Sequence, residues 1–228
     1  MAINYSPHIV SDGLVLCLDA ANPRSYPGGG NIWYDLSGNG YHCTLANTTF
    51  NTNHGGSIDF DGTDSYGTFD TSIPLGFEQQ SDDFTLDIVV RSTETSQTYT
   101  TYNFSAAIYF GGWHFGDGYA NKWRFRIQGT GLSLNTNGSA QITNNNNIYH
   151  FHCWKSYPYI GIYRNTGEDS SNVAFSGTMS SGTKRLGLYQ YSGLNLACQI
   201  FQVKIYNRKL SYAEVKQNYN ATRNRYGI

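Results

Sequence analysis

FTLDIVVR, residues 84–91, sets Phe84, Leu86, Ile88 and Val90 at every second position. Side chains alternate across a β-strand, so this spacing gives a strand with one apolar, buried face. The same period governs WRFRIQ (123–128), where Trp123, Phe125 and Ile127 alternate with Arg124, Arg126 and Gln128. It returns in IFQVKIYN (200–207), where Phe201, Val203 and Ile205 alternate with Gln202, Lys204 and Tyr206. Further strands are predicted over 13–19, 57–60, 66–70, 106–112, 148–155, 159–165, 172–177 and 185–191. The intervals are rich in Gly, Asn, Asp and Ser, which supply positive φ or side-chain-closed turns. Many half-apolar strands without alternating helices imply an all-β chain, with two antiparallel sheets stacked on one core.

One helix is marked, at the C-terminal end. In LSYAEVKQNYNATRNRY (210–226), Ser211 and Glu214 have capping-box spacing and Leu210 and Val215 are placed for a hydrophobic staple. Val215 and Tyr219 recur at helical spacing, so the helix is predicted to begin near Tyr212 and to lie against the sandwich.

The 228 residues carry a formal net charge of -1 and only 14% charged side chains. That length suits one domain over 1–228, and the balance leaves no basic field for nucleic acid. MAINYSPHIVSDG has neither a basic leader nor an apolar core, and no apolar run reaches spanning length, so synthesis in a cytoplasm without membrane insertion is expected. Cys17, Cys43, Cys153 and Cys198 lie far apart, without zinc spacing, and read as buried free thiols.

GLVLCLDAANPRSYPGGGNIWYDLSGNGYHCTL, GSIDFDGTDSY and the ending KIYNRKLSYAEVKQNYNATRNRYGI together resemble the concanavalin A-like lectin/glucanase superfamily, in its laminin-G/pentraxin-like branch. More narrowly they resemble the stand-alone versions encoded by tailed bacteriophages. YHFHCWKSYPYIGIYRNTG matches the family's late strand pair, with Asn165 and Gly167 at the tight turn. The resemblance implies a jelly-roll sandwich with a concave sheet that many members use for glycans and some for calcium, while others serve only as structure.

WYDLSGNG (33–40) alternates Asp35, Ser37 and Asn39 like the first half of an EF-hand, but the twelfth position is Ala46 where a bidentate Glu is needed. It reads as a turn closed by Asp35 and Ser37 on their own backbone and plugged into the core by Trp33 and Leu36. Asp59 and Asp61 share a strand face, as an acid–base pair for glycoside hydrolysis would, yet Asp61 before Gly62 reads as a turn former. FGGWHFGDGYANKW (110–123) is read as a glycine-shaped loop whose Trp113, His114 and Tyr119 could stack on and hydrogen-bond a sugar. Burial of these rings against the core or a neighbouring subunit is the alternative. The likeness to pentraxin-type members implies a calcium site here, with Asp117 and Asn121 as its oxygen donors. His150 and His152, two apart on one strand face, have a spacing that metals use, but no third ligand is evident in sequence.

No Ser/His/Asp order, phosphate loop or glucanase carboxylate pattern stands out, so no enzyme is expected. The expectation is a virion structural protein of a tailed bacteriophage, made in the host cytoplasm and decorating capsid or tail in several copies or as a homo-oligomer. Its partners are then other virion proteins and host surface glycans. A dedicated calcium-assisted adhesin and, behind it, a glycosidase or depolymerase are the alternatives.

Overall fold

A computed structural model of the chain describes residues 8–69, 81–95, 106–110, 113–117, 122–127, 133–135, 146–174, 184–187 and 195–228. In chain order they form β1 (Leu14–Asp19), β2 (Ile32–Trp33), β3 (Cys43–Ala46), β4 (Thr49–Asn51), β5 (Ser57–Asp61), β6 (Tyr66–Phe69), β7 (Phe84–Ser92) and β8 (Ala106–Phe110). Then come β9 (Trp113–Asp117), β10 (Trp123–Ile127), β11 (Ser133–Asn135), β12 (Tyr149–Ser156), β13 (Tyr159–Arg164), β14 (Gly167–Ala174), β15 (Lys184–Leu186), β16 (Ala197–Tyr206) and the helix α1 (Tyr212–Tyr226).

Two eight-stranded sheets result. The first runs β14-β13-β12-β7-β16-β5-β4, with β1 also paired to β16, and the second runs β11-β10-β9-β8-β15-β6-β3-β2. The pairings within them are antiparallel, as the two-sheet sandwich with one C-terminal helix requires. Between the sheets lies the main core. Leu86, Ile88 and Val90 of β7, Phe151 and Cys153 of β12 and Val203 and Ile205 of β16 meet Trp113, Phe115, Trp123, Phe125 and Ile127 from the second sheet. The aromatic residues dominate: Phe115 and Trp123 stack at 5.2 Å, and Phe151 tilts against both.

Alternation holds along β7, β10 and β12, but not through β16. A bulge between Ile200 and Gln202 shifts the register against β7, which turns Phe201 to the opposite face from Val203 and Ile205. Phe201 instead packs with Val89, Ile148 and Tyr226 beneath the helix, a correction to the expected single stripe. The segment 113–117, expected as loop, is strand β9: Trp113 and Phe115 enter the core and His114 alternates with them. The four cysteines are free and buried, and burial pushes the Cys17 thiol up to about 12.

The helix begins where its caps predict. Ser211 and Glu214 close a capping box, Gly227 ends the helix in the left-handed region at φ 71, and Leu210 and Val215 share a small cluster with Val10 and Tyr206. Its buried stripe is half polar, comprising Val215, Asn218, Thr222 and Tyr226. A helix turning an amide inward needs a polar partner on the sheet below it.

Close approach fixes one glycine. Gly161 lies across from Trp154, and a Cβ there would meet the indole at 2.4 Å. Gly161→Ala is expected to lower stability by about 1–3 kcal/mol through overpacking, read as a shifted urea midpoint. An unchanged midpoint would show the indole free to move.

Candidate functional site

The turn at 33–40 is a staple. Asp35 Oδ1 accepts from the backbone N–H groups of Cys17 and Ser37, its Oδ2 accepts from Tyr41 N and Ser37 Oγ, and Trp33 is fully buried. Its carboxylate oxygens are thus engaged by the fold, as the reading of a structural turn requires. Asp61 is a turn former too. Its Oδ1 accepts from Thr63 N, Asp64 N, Ser65 N and Ser65 Oγ. These bonds, the Thr63 N–H foremost, hold its carboxyl down at about 2. Asp59 is held by Ser57 Oγ at 2.6 Å and Gln199 Nε2 at 2.6 Å.

The aromatic segment at 110–123 is dispersed by the fold. Trp113 is 1% exposed, sandwiched between Phe110 at 5.0 Å and Phe84 at 4.9 Å, so its ring has no face left for a sugar. His114 is buried on the opposite side of β9. Asp117 ends β9 opposite Trp123, while Tyr119 and Asn121 lie outside the described residues. The alternation in WHF, apolar–polar–apolar, was the signal for a strand, and the flanking glycines masked it.

The third partner for His150 and His152 comes from β7. Asp87 pairs across from His152, and its ligand atoms and those of both histidines lie within 4.8 Å of one another, all buried. Two histidines and a carboxylate is a recurrent metal set. The rest of the cluster decides against a metal. Lys204 Nζ sits 2.7 Å from Asp87 Oδ1, where His150 Nε2 also lies at 2.6 Å, and Asn218 Nδ2 donates to Oδ2 at 2.7 Å. The ammonium already stands as the counter-cation, and a dication beside it would meet strong repulsion in a medium of low dielectric. His152 Nε2 is 3.2 Å from Oδ2 but is not aligned as a hydrogen bond.

Charge follows from these contacts. Burial disfavours the Asp87 anion, yet Lys204 and His150 outweigh it and hold the carboxyl well below its usual range. Burial lowers His150 to about 3 against the pull of Asp87, leaving a neutral imidazole. Asn218 also donates to Tyr206 Oη at 3.0 Å and accepts from Val10 N at 2.8 Å. The network therefore bolts the helix and the Val10 segment onto the outer face of the first sheet.

Above that bolt, near the end of the helix, is a cleft of about 340 Å³ lined by His54, Asn146, Asn147, Tyr149, Asn165 and Tyr226 among others. Its lining includes no Asp, Glu, Lys or Arg. Asn165, at φ 56 in the β13–β14 turn, extends the pairing of β12 by bonding His150 N and O. Asn146 and Asn147 are exposed. Nothing local to the asparagine run at 144–147 shows that His54 and Asn165 fold beside it.

No protein-family profile matches the sequence, and no curated protein matches it significantly. Solved structures do match. The binding domain of Paraclostridial Mosquitocidal Protein 1 superposes with a TM-score of 0.68 at 16% identity, over 92% of this chain and 52% of that one. The botulinum neurotoxin serotype D/C VPI 5993 binding domain gives 0.68 at 16% identity, over 93% and 53%. Trypanosoma rangeli sialidase in complex with 2,3-difluorosialic acid gives 0.67 at 16% identity, over 92% of this chain and 33% of the sialidase. The chain thus spans about a third of the sialidase and about half of each toxin chain. The expectation of a non-enzyme is corrected here: it rested on missing motifs, and the same sandwich forms part of sialidases, so neither motif nor fold excludes catalysis. What the likeness establishes is the architecture, a two-sheet β sandwich of the kind found in sialidases and toxin binding domains.

Proposed function

We propose that the chain is a glycan-binding β-sandwich domain over residues 1–228, carried in several copies on the capsid or tail of a tailed bacteriophage. The observation that carries glycan binding is the amide-lined cleft, with Asn146, Asn147 and Asn165 in its wall and no Asp, Glu, Lys or Arg. A carboxamide presents a donor and an acceptor side by side, which matches neighbouring sugar hydroxyls. The volume falls within the range of small-ligand sites. Binding domains of toxins and a sialidase bound to a sialic acid derivative share the fold, which supports a recognition role. The resemblance of the opening and closing segments to phage-encoded domains supports the virion placement.

Titration calorimetry against neutral oligosaccharides tests the cleft. Asn146→Ala with Asn147→Ala is expected to weaken binding about tenfold or more, since each lost hydrogen bond contributes about 0.5–1.5 kcal/mol. The melting temperature should hold, as both side chains are exposed. Sugar binding unaffected by the double change would remove the cleft from the proposal. Absence of the polypeptide from purified particles would remove the virion role. Calcium at Asp117 and Asn121 is proposed as an accessory ion, and glycan binding unchanged by chelation would discard it.

A further inference from the structure

The cleft beside the helix end has an apolar floor and a polar rim. Its buried lining is apolar, with Ile148 8% exposed and Tyr226 1%. Both belong to the cluster that holds Val89 and Phe201, and Ile228, half-buried and also in the lining, packs on the same cluster. The bulge in β16 makes this floor, because it turns Phe201 to the outer face of the sheet, where Val89 and Ile148 lie. The exposed lining includes His54, Asn146 and Asn147. Asn165, half-buried, stands between floor and rim in burial, and it is the oriented member. The His150 N–H donates to Asn165 Oδ1 at 3.2 Å, which sets the carboxamide one way round, since a backbone N–H needs an oxygen opposite it. The Asn165 N–H donates in turn to His150 O at 2.7 Å. Asn165 Nδ2 then keeps its donor hydrogens, with no hydrogen-bond partner among the described residues.

On the reading of this cleft as a glycan site, which the inference requires, we infer that it selects sugars bearing an acetamido group over the parent hexoses. An acetamido group is a small amide with a methyl at one end, and its carbonyl oxygen and N–H lie side by side. The floor of Ile148, Ile228 and Tyr226 takes the methyl out of water. Asn165 Nδ2 donates to the carbonyl oxygen, and Asn146 Oδ1 accepts from the N–H. A parent hexose places a hydroxyl at the same point. That hydroxyl loses water over an apolar floor, covers less of it than a methyl does, and leaves the Asn165 donor unmet. The absence of Asp, Glu, Lys and Arg from the lining fits a neutral amide and supplies no counter-charge for a sugar acid or an amino sugar with a free amine. The asparagine at φ 56 holds this donor in a turn that few side chains accept, so the position combines backbone and ligand demands.

Titration calorimetry with triacetylchitotriose and cellotriose tests the selectivity, because these trisaccharides share one backbone and differ in carrying an acetamido group or a hydroxyl at carbon 2. N-acetylgalactosamine against galactose repeats the comparison on another ring. A preference of about tenfold or more for the acetylated member of at least one pair is expected, from one buried methyl and one added hydrogen bond together. Saturation-transfer NMR should show the acetyl methyl as the most strongly saturated group of the bound sugar. Asn165→Asp keeps the oxygen that meets the His150 N–H and removes the Nδ2 donor, so it should cut the preference to about twofold or less. Ile228→Ser should weaken the methyl saturation without touching that donor. A melting temperature within a few degrees of the parent shows that each variant is folded. Equal affinity for both members of both pairs, or a full preference kept by folded Asn165→Asp, would overturn the inference while leaving the cleft a glycan site. No binding of any of the four sugars by the parent, or binding untouched by Asn146→Ala with Asn147→Ala, would overturn that reading and the inference with it.

Discussion

Lys204→Met is expected to destabilise the protein by about 3–5 kcal/mol, the loss typical when one partner of a buried ion pair is removed. Lys204 and Asp87 are both fully buried, at 2.7 Å. Without the ammonium, the carboxylate keeps its desolvation cost and retains His150 and Asn218 as hydrogen-bond partners, with His152 nearby at 3.2 Å. Equilibrium urea unfolding followed by fluorescence reads the change. Adding Asp87→Asn should recover more than half of it, because an amide leaves no buried charge while still meeting Asn218 and His150. A single variant within 1 kcal/mol of the parent would show that the ion pair does not hold the helix to the sheet.

Acid should unfold the chain through its histidines. His150 and His114 take a proton at 6.5 when solvated and only at about 3 in the folded protein. Between those values the unfolded chain binds more protons, so the contribution of these groups is complete above about pH 6.5 and is lost as pH falls toward 3. Each group can steepen the loss by up to about 1.4 kcal/mol per pH unit. The depressed carboxyl of Asp87 acts in the same direction, its contribution present above its ordinary value of 3.8 and lost below it. His150→Asn should flatten the profile of stability against pH between 6.5 and 3. An unaltered slope in that variant would mean that the buried imidazole already exchanges protons with solvent when folded.

Local pattern and tertiary placement divide cleanly in this chain. Alternation over 84–91 and 123–127 was enough to say which side chains enter the core, and the Ser211–Glu214 box was enough to start the helix at Tyr212. Both are short-range signals, carried by residues two to four apart. Trp113 shows the limit. As a residue type among glycines it suits a sugar platform, yet β9 pairs it between Phe110 and Ile127 and seals it in the core.

By itself, then, the amino-acid order determined an all-β sandwich, the inward faces of β7, β10 and β12 and the capped C-terminal helix, because strand and cap periodicities are written within a few residues. Only the tertiary structure decided that Asp87 joins His150 and His152 and that Lys204 occupies the cation's place there. Those juxtapositions join residues between 50 and 120 positions apart, approximately. They depend on sheet order and on a one-residue bulge in β16, and neither is visible in local pattern, since a register shift of one residue exchanges the faces of a strand.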